Sequence, residues 1–451
     1  MVGHRAWILM ALTIALGNAA LSQDAPGITQ AVPEIATLEP ELEGLYRDLH
    51  EHPELAFHEQ RTAAALADRL RALGYDVTTG VGGTGLVAIL RNGSGPVVML
   101  RTELDALPIE EKTGLPFASK AKGLDSEGKV VSVAHACGHD LHMTGWYGAA
   151  KIMARRRNTW HGTLMLVGQP AEEITRGAAA MLADGLFTRF PKPDFAISMH
   201  DEPSLPSGKV GFHAGFFRAS SDSVEVTIFG RGGHGARPQT TVDPIILAAR
   251  SIVGIQTIVS RETDPQTPAV VTIGAIHGGT VGNIIPDEVR MLMSVRSYDD
   301  KVRKRLLASI KRQLDGEAAA ADAPSPPLIK VTPGADAVYN DPQLTSRLVE
   351  ALRRELGPES VVEMPSKMTS EDFSEYGHAG VRAVLLHIGA VNPATLASGA
   401  KIPDLHSPQW FPELEPTLRS LVAAEVVMLT DLFSPPATGQ IGANRPAAPV
   451  N

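Results

Sequence analysis

Cysteine is almost missing from this 451-residue chain, which holds one, Cys137. A disulfide within the chain is therefore excluded, and with it any fold stapled by cross-links. Cationic excess is missing as well. Lys and Arg number 41 against 50 Asp and Glu, a formal net charge of −9, which argues against a nucleic-acid partner. Arg155–Arg156–Arg157 reads as a solvated helix end, not a binding patch. Beyond the N-terminus no apolar run approaches the ~20 residues of a membrane span, so the sequence predicts no stable membrane anchor.

The N-terminus, MVGHRAWILMALTIALGNAALSQDAPG, carries Arg5, an apolar core over 6–16, and Ala20, Leu21 and Ser22, which resemble a small-residue cleavage site. That layout predicts a secretory signal over 1–22, with an amphipathic helix as the alternative. The expectation is an exported protein of the bacterial periplasm. Export sharpens the meaning of the lone thiol. It is a buried structural cysteine, one half of an intermolecular disulfide, or a thiolate used by metal or catalysis. Its neighbours in HACGHD, residues 135–140, are histidines and an aspartate, which puts metal first.

Helical periodicity marks 41–49 and 62–73, and strand-like runs follow at 86–90, 97–100, 163–167 and 195–199, with a helix over 141–155 between them. Alternating strands and helices predict an α/β domain with a mostly parallel sheet, whose carboxyl ends collect function. Near residue 218 the pattern becomes strict alternation, SDSVEVTIF, followed by helices at 243–260 and 299–314 and strands at 269–276 and 288–298. This reads as an inserted α+β unit closed by the linker-like AAAADAPSPP. A helix over 341–356 and a strand over 383–388 resume the first style. The expected organisation is a leader at 1–22, a first domain split into 35–217 and 334–433, an insert at 218–333, and a disordered tail at 434–451.

Four short segments carry ligand-type side chains: HACGHD (135–140), GQPAEE (168–173), ISMHDEP (197–203) and DLHSPQW (404–410). Thiolate, imidazole and carboxylate together suit a zinc- or manganese-like ion. Cys137 and His139 are two apart, so on an extended segment both face one side. Neighbouring Glu172 and Glu173 diverge, which lets one bind metal while the other stays free as a general base. A solvated acidic pair at a helix start is the plain alternative.

LRTELDALPIEE, HACGHD, GQPAEE, GGHGARPQTTVDP, GNIIPDEV, SEDF and LHSPQW, in this order from about residue 40 to 430, closely resemble the M20 metallopeptidases. The likeness is to their amidohydrolase branch, with its hippurate hydrolases, bacterial N-acyl-amino-acid hydrolases and plant auxin-conjugate hydrolases. The resemblance implies a phosphorylase/hydrolase-like α/β metallopeptidase domain with a ferredoxin-like dimerisation or lid domain inserted. It implies two divalent metal ions per subunit (Zn or Mn, with Ni or Co also suited) held by Cys137, His139, Glu173, His200 and His406. Glu172 becomes the base and Asp105 the carboxylate that orients a ligand. His234 becomes an oxyanion donor that reaches the partner's site in a homodimer, and Asn283 and Arg296 hold the substrate carboxylate. Glu103 departs from the branch, which has aspartate there. His142 is expected on a helix surface, and His213, His277 and His378 on strands, turns or loops. Glu371 and Asp372 are expected to be structural. The expected activity is hydrolysis of N-acyl or N-aroyl L-amino acids. A carboxypeptidase or dipeptidase, and a non-catalytic binding relative, are the rivals.

Overall fold

The computed structural model describes residues 31–434. The leader and all but the first residue of the expected tail lie outside the described residues. An eight-stranded sheet runs in the order Asp76–Val81, Gly85–Asn92, Gly162–Gln169, Val97–Glu103, Phe195–Pro206, Arg382–Val391, Val210–Phe212, Val361–Glu363. The four central strands, from Gly162–Gln169 to Arg382–Val391, are mutually parallel, and antiparallel pairings lie toward both edges.

Both faces of this sheet are covered, and the sequence shows why. Leu86, Ala88 and Leu90 point into one apolar core, while Val87 and Ile89 point into the other. Val98 and Leu100 alternate with Met99 in the same way. Strands buried on two sides read as continuous apolar runs. The larger core packs helices Ile35–Glu51, His139–Arg155, Pro342–Leu356 and Leu414–Phe433 against the sheet. Helix His139–Arg155 is central, and at Gly145 a side chain would collide with Leu421 of the C-terminal helix. Two helix starts are capped in the same way: Asp243 and Asp341 each accept backbone N–H bonds as N-caps, with proline at the next position.

A second, four-stranded antiparallel sheet has the order Ala269–His277, Glu288–Ser297, Ser220–Phe229, Leu328–Pro333. In chain order its elements run strand–helix–strand–strand–helix–strand, the ferredoxin-like arrangement. Helices Pro244–Thr257 and Asp300–Ala320 pack on one face through Leu247, Ile255, Leu306, Ile310 and Leu314. AAAADAPSPP does not close this unit. Its alanines finish the second helix, and the chain then returns as the edge strand Leu328–Pro333. Two short strands, Gly215–Arg218 and Val338–Asn340, pair side by side where the chain enters and leaves the unit.

Candidate metal centre

The ligand-type residues gather on the carboxyl-end side of the parallel strands, within a strand or in the loops beyond. Strand Phe195–Pro206 carries His200, and Gly162–Gln169 leads into Glu172 and Glu173. Cys137 Sγ lies 3.6 Å from His200 Nε2. His139 Nε2 is 3.9 Å from Glu173 Oε1, and His406 Nε2 is 3.3 Å from Glu173 Oε2. The segment 137–139 is not extended, as the spacing had suggested. Gly138 has φ 76 and His139 opens a helix, so a left-handed turn brings thiol and imidazole together. A Cβ on Gly138 would come within 2.5 Å of the Asp201 carboxylate. Ala171 and Thr175, which bracket the glutamate pair, and His406 also have positive φ, as strained positions at functional sites do. His135, the first histidine of the motif, stays outside the cluster, and burial holds it neutral, down to about 4.

These residues fit a divalent ion. His139 Nε2 and Glu173 Oε1 are buried and make no hydrogen bond, which is rare for polar atoms and points both at an absent partner. Burial pushes the Cys137 thiol well above its ordinary range, so a thiolate there needs a neighbouring cation. Cys137, His139 and His200 come together, as do Cys137, Glu173 and His406, two ligand groups that share the thiol.

Glu172 lies at the edge of this cluster. One carboxylate oxygen is 3.8 Å from His139 Nε2, and the carboxylate also sits with those of Glu371 and Asp372. Burial, then Glu371 and Glu173, raise its pKa well above the usual carboxylate range. Glu371 and Asp372, expected to be merely structural, are thus neighbours of this glutamate, and both bind the fully buried Arg101 at 2.8 and 3.0 Å. Asp105 accepts the backbone N–H groups of Glu172 and Glu173, one on each oxygen, at 3.0 Å. His139 Nδ1 meets the Asp105 backbone carbonyl at 2.8 Å and its carboxylate at 3.5 Å. The carbonyl therefore orients the ring, and the carboxylate pins the glutamate pair.

His142 is not on a helix surface. It is buried, with Nδ1 3.1 Å from Glu103 Oε2 and Nε2 3.2 Å from Asp201 Oδ1. Burial opposes its charge, but the two carboxylates carry its pKa up to about 9. Asp201 in turn lies 3.1 Å from His200 Nδ1 and accepts from Trp410 Nε1. Glu103 thus reaches the centre through His142 and Asp201 on one side and through Arg101, Glu371 and Asp372 on the other, links that composition did not suggest. One signal was available: His142 lies three residues after His139, on the same helical face. Of the other histidines, His213 bonds the Met364 carbonyl, His277 ends an edge strand, and His378 ends a short helix.

His234 and Asn283 are not in this cluster. They lie together on a two-stranded ribbon of the second unit, where His234 pairs with Ile284 and Gly235 N–H donates to the Asn283 carbonyl. Both are exposed. Arg296, on strand Glu288–Ser297, is partly buried and donates to the Met368 carbonyl at 2.9 Å, not to Asp299.

Known proteins share this sequence and shape. Hippurate hydrolase of Campylobacter jejuni is 42% identical over 292 residues, 64% of this chain and 73% of that protein. N-acetyl-L-cysteine deacetylase of Bacillus subtilis is 36% identical over 343 residues, 76% of this chain and 79% of the relative. The crystal structure of the Bacillus subtilis YXEP protein, a dinuclear metal-binding peptidase, is 30% identical with a TM-score of 0.71. It covers 87% of this chain, which spans 98% of it in return. The sequence profile of peptidase family M20/M25/M40 matches residues 99–406. The chain belongs to that family and is a metal-binding hydrolase.

Proposed function

We propose that this protein hydrolyses the amide bond of N-acyl or N-aroyl L-amino acids, releasing a carboxylic acid and a free amino acid. The observation that carries the reading is the divergence of two adjacent glutamates. Glu173 reaches both His139 and His406 with one oxygen unpartnered, while Glu172 comes within 3.8 Å of His139 but has Glu371 and Asp372, not His406, as its other neighbours. Cys137, His139, Glu173, His200 and His406 would hold two divalent ions. When bound, these supply Lewis acidity to the amide carbonyl and acidify water at the centre.

The rest is the work of the chain. The Glu172 carboxylate takes a proton from the attacking water as its oxygen bonds to the carbonyl carbon. As the C–N bond breaks, the same carboxyl returns that proton to the leaving nitrogen. Asp105 holds both glutamates by their backbone, so the base keeps its place through the cycle. Asn283 and Arg296 are assigned to the substrate carboxylate, which a guanidinium grips with two parallel bonds. His234 is assigned to the developing oxyanion, supplied by a second copy of the chain.

The second unit supports a homodimer. Helix Pro244–Thr257 exposes Ile246 and Val253, edge strand Ala269–His277 exposes Ile276, and the ribbon exposes Ile284, each about half exposed or more. Bare apolar edges of this kind call for a partner. The leader reading gives export to the periplasm, checked by the N-terminal sequence of the mature protein. The activity is tested with metal analysis and a panel of hippurate, acetyl-amino acids and dipeptides. Turnover of the acyl-amino acids supports the reading, and cleavage of dipeptides alone supports a dipeptidase instead.

A further inference from the structure

Three cations converge on one loop beside the metal centre, and the reaction as described uses only one of them. Arg218 ends the short strand that leads into the second unit, and it is 5% exposed. Its Nη1 donates to Thr369 Oγ1 and its Nη2 donates to His387 Nε2 at 2.8 Å. Its Nε is buried and makes no hydrogen bond. One residue along the same loop, Arg296 donates to the Met368 carbonyl. The next residue back, Lys367, binds Glu202.

Charges near this loop do not balance. Among the described residues neither Arg218 nor Arg296 forms an ion pair within 4.0 Å, whereas Lys367 has Glu202. Glu202 is also 3.3 Å from His387 Nδ1, so that carboxylate is already shared. A buried guanidinium held only by a hydroxyl and a neutral imidazole lacks the counter-charge that normally offsets its desolvation. Its position is informative as well. His387 is the register partner of His200, and the loop runs on to Glu371 beside Glu172. Ser221, three residues after Arg218, is the register partner of Arg296. The two guanidiniums bond adjacent residues, Met368 and Thr369, of the loop that leads to Glu371.

We propose that Arg218 is a substrate-binding residue that grips the α-carboxylate of the N-acyl amino acid together with Arg296. The assignment rests on the amidohydrolase reading above and adds a residue to it. The anion supplies the charge that the protein withholds, and the unpartnered Nε gives it an N–H at a second angle. His387 and Thr369 fix the guanidinium before substrate arrives, so little ordering is left to the binding step. A neutral C-terminus leaves the cluster uncompensated and is discriminated against.

The alternative is a clamp that ties the strand to the loop, and kinetics separate the two. Hippurate, or the acyl-amino acid that the wild type cleaves best, is compared with its C-terminal amide by release of the acyl acid. In Arg218→Met the acid-to-amide ratio of kcat/KM should fall by roughly 10–100-fold, chiefly through KM for the acid. Arg218→Lys should restore part of the ratio. Thr369→Val keeps the charge and removes one anchor, so it should move the ratio the same way by less. The Lys and Val variants carry the test should the Met variant fail to fold. Acid and amide rates that fall together, with the ratio unmoved, overturn the assignment and leave a clamp. A wild type that cleaves no acyl-amino acid overturns the amidohydrolase reading itself.

Discussion

Glu172 and Glu173 are adjacent, chemically identical and differently placed, so one-atom substitutions separate them. Glu172→Gln keeps the size but cannot accept a proton. General-base loss is worth ~10²–10⁴-fold in rate, so kcat should fall by at least that much while metal content stays normal. Glu173→Gln should lose metal instead, because the oxygen left without a partner is the one facing His139. Metal analysis on the two variants decides between them, and reversed results would exchange the roles. At Cys137 the expected outcome is different again. Cys137→Ser should lower metal content and activity together with the fold intact, and the native thiol should resist alkylation until the metal is chelated. Normal stoichiometry and near-normal turnover in that variant would remove the cysteine from the ligand set.

At the scale of elements, the site depends on how few residues turn a strand into a loop. Asp105 spends one oxygen on each backbone N–H of the glutamate pair. Asp105→Asn offers one acceptor and turns an NH2 toward the other N–H. Loss of such an outer support typically costs 10–100-fold in metal affinity or activity, and about that drop is expected here. Wild-type affinity by metal titration would show the support to be dispensable. The same scale explains what the sequence disclosed. The pair Glu172 and Glu173 was legible because it followed the buried apolar strand 163–167 and three other segments offered ligand-type side chains. His142 was not, because its partners Glu103 and Asp201 come from two other strands that only the tertiary fold brings near. Strand Leu328–Pro333 was also missed, because LIKVTP follows a proline-rich stretch and sits at an edge that tolerates such composition. The turn at Gly138 was hidden for another reason: spacing alone does not tell an extended pair from one folded over a left-handed glycine.

The whole molecule raises one question that no single protomer answers. The ribbon that carries His234 and Asn283 is exposed and outside the ligand cluster, on a unit with bare apolar edges. Either the unit closes over its own site, or a second copy brings the ribbon across a two-fold interface. The apolar exposure on helix Pro244–Thr257 and strand Ala269–His277 favours the second copy. Removal of an oxyanion donor typically costs ~10²–10³ in turnover, so His234→Ala should be nearly inactive yet fully metallated. Mixing it with inactive Glu172→Gln protein distinguishes the two geometries. In a hybrid dimer one site combines an intact Glu172 with the partner's intact His234, and the other site lacks both. After subunit exchange activity should return, approaching half of normal per hybrid dimer. Closure within one chain predicts none, because each chain then carries its own defect. If labelled subunits exchange and the mixture stays inactive, His234 acts within its own protomer and the apolar face serves some other contact.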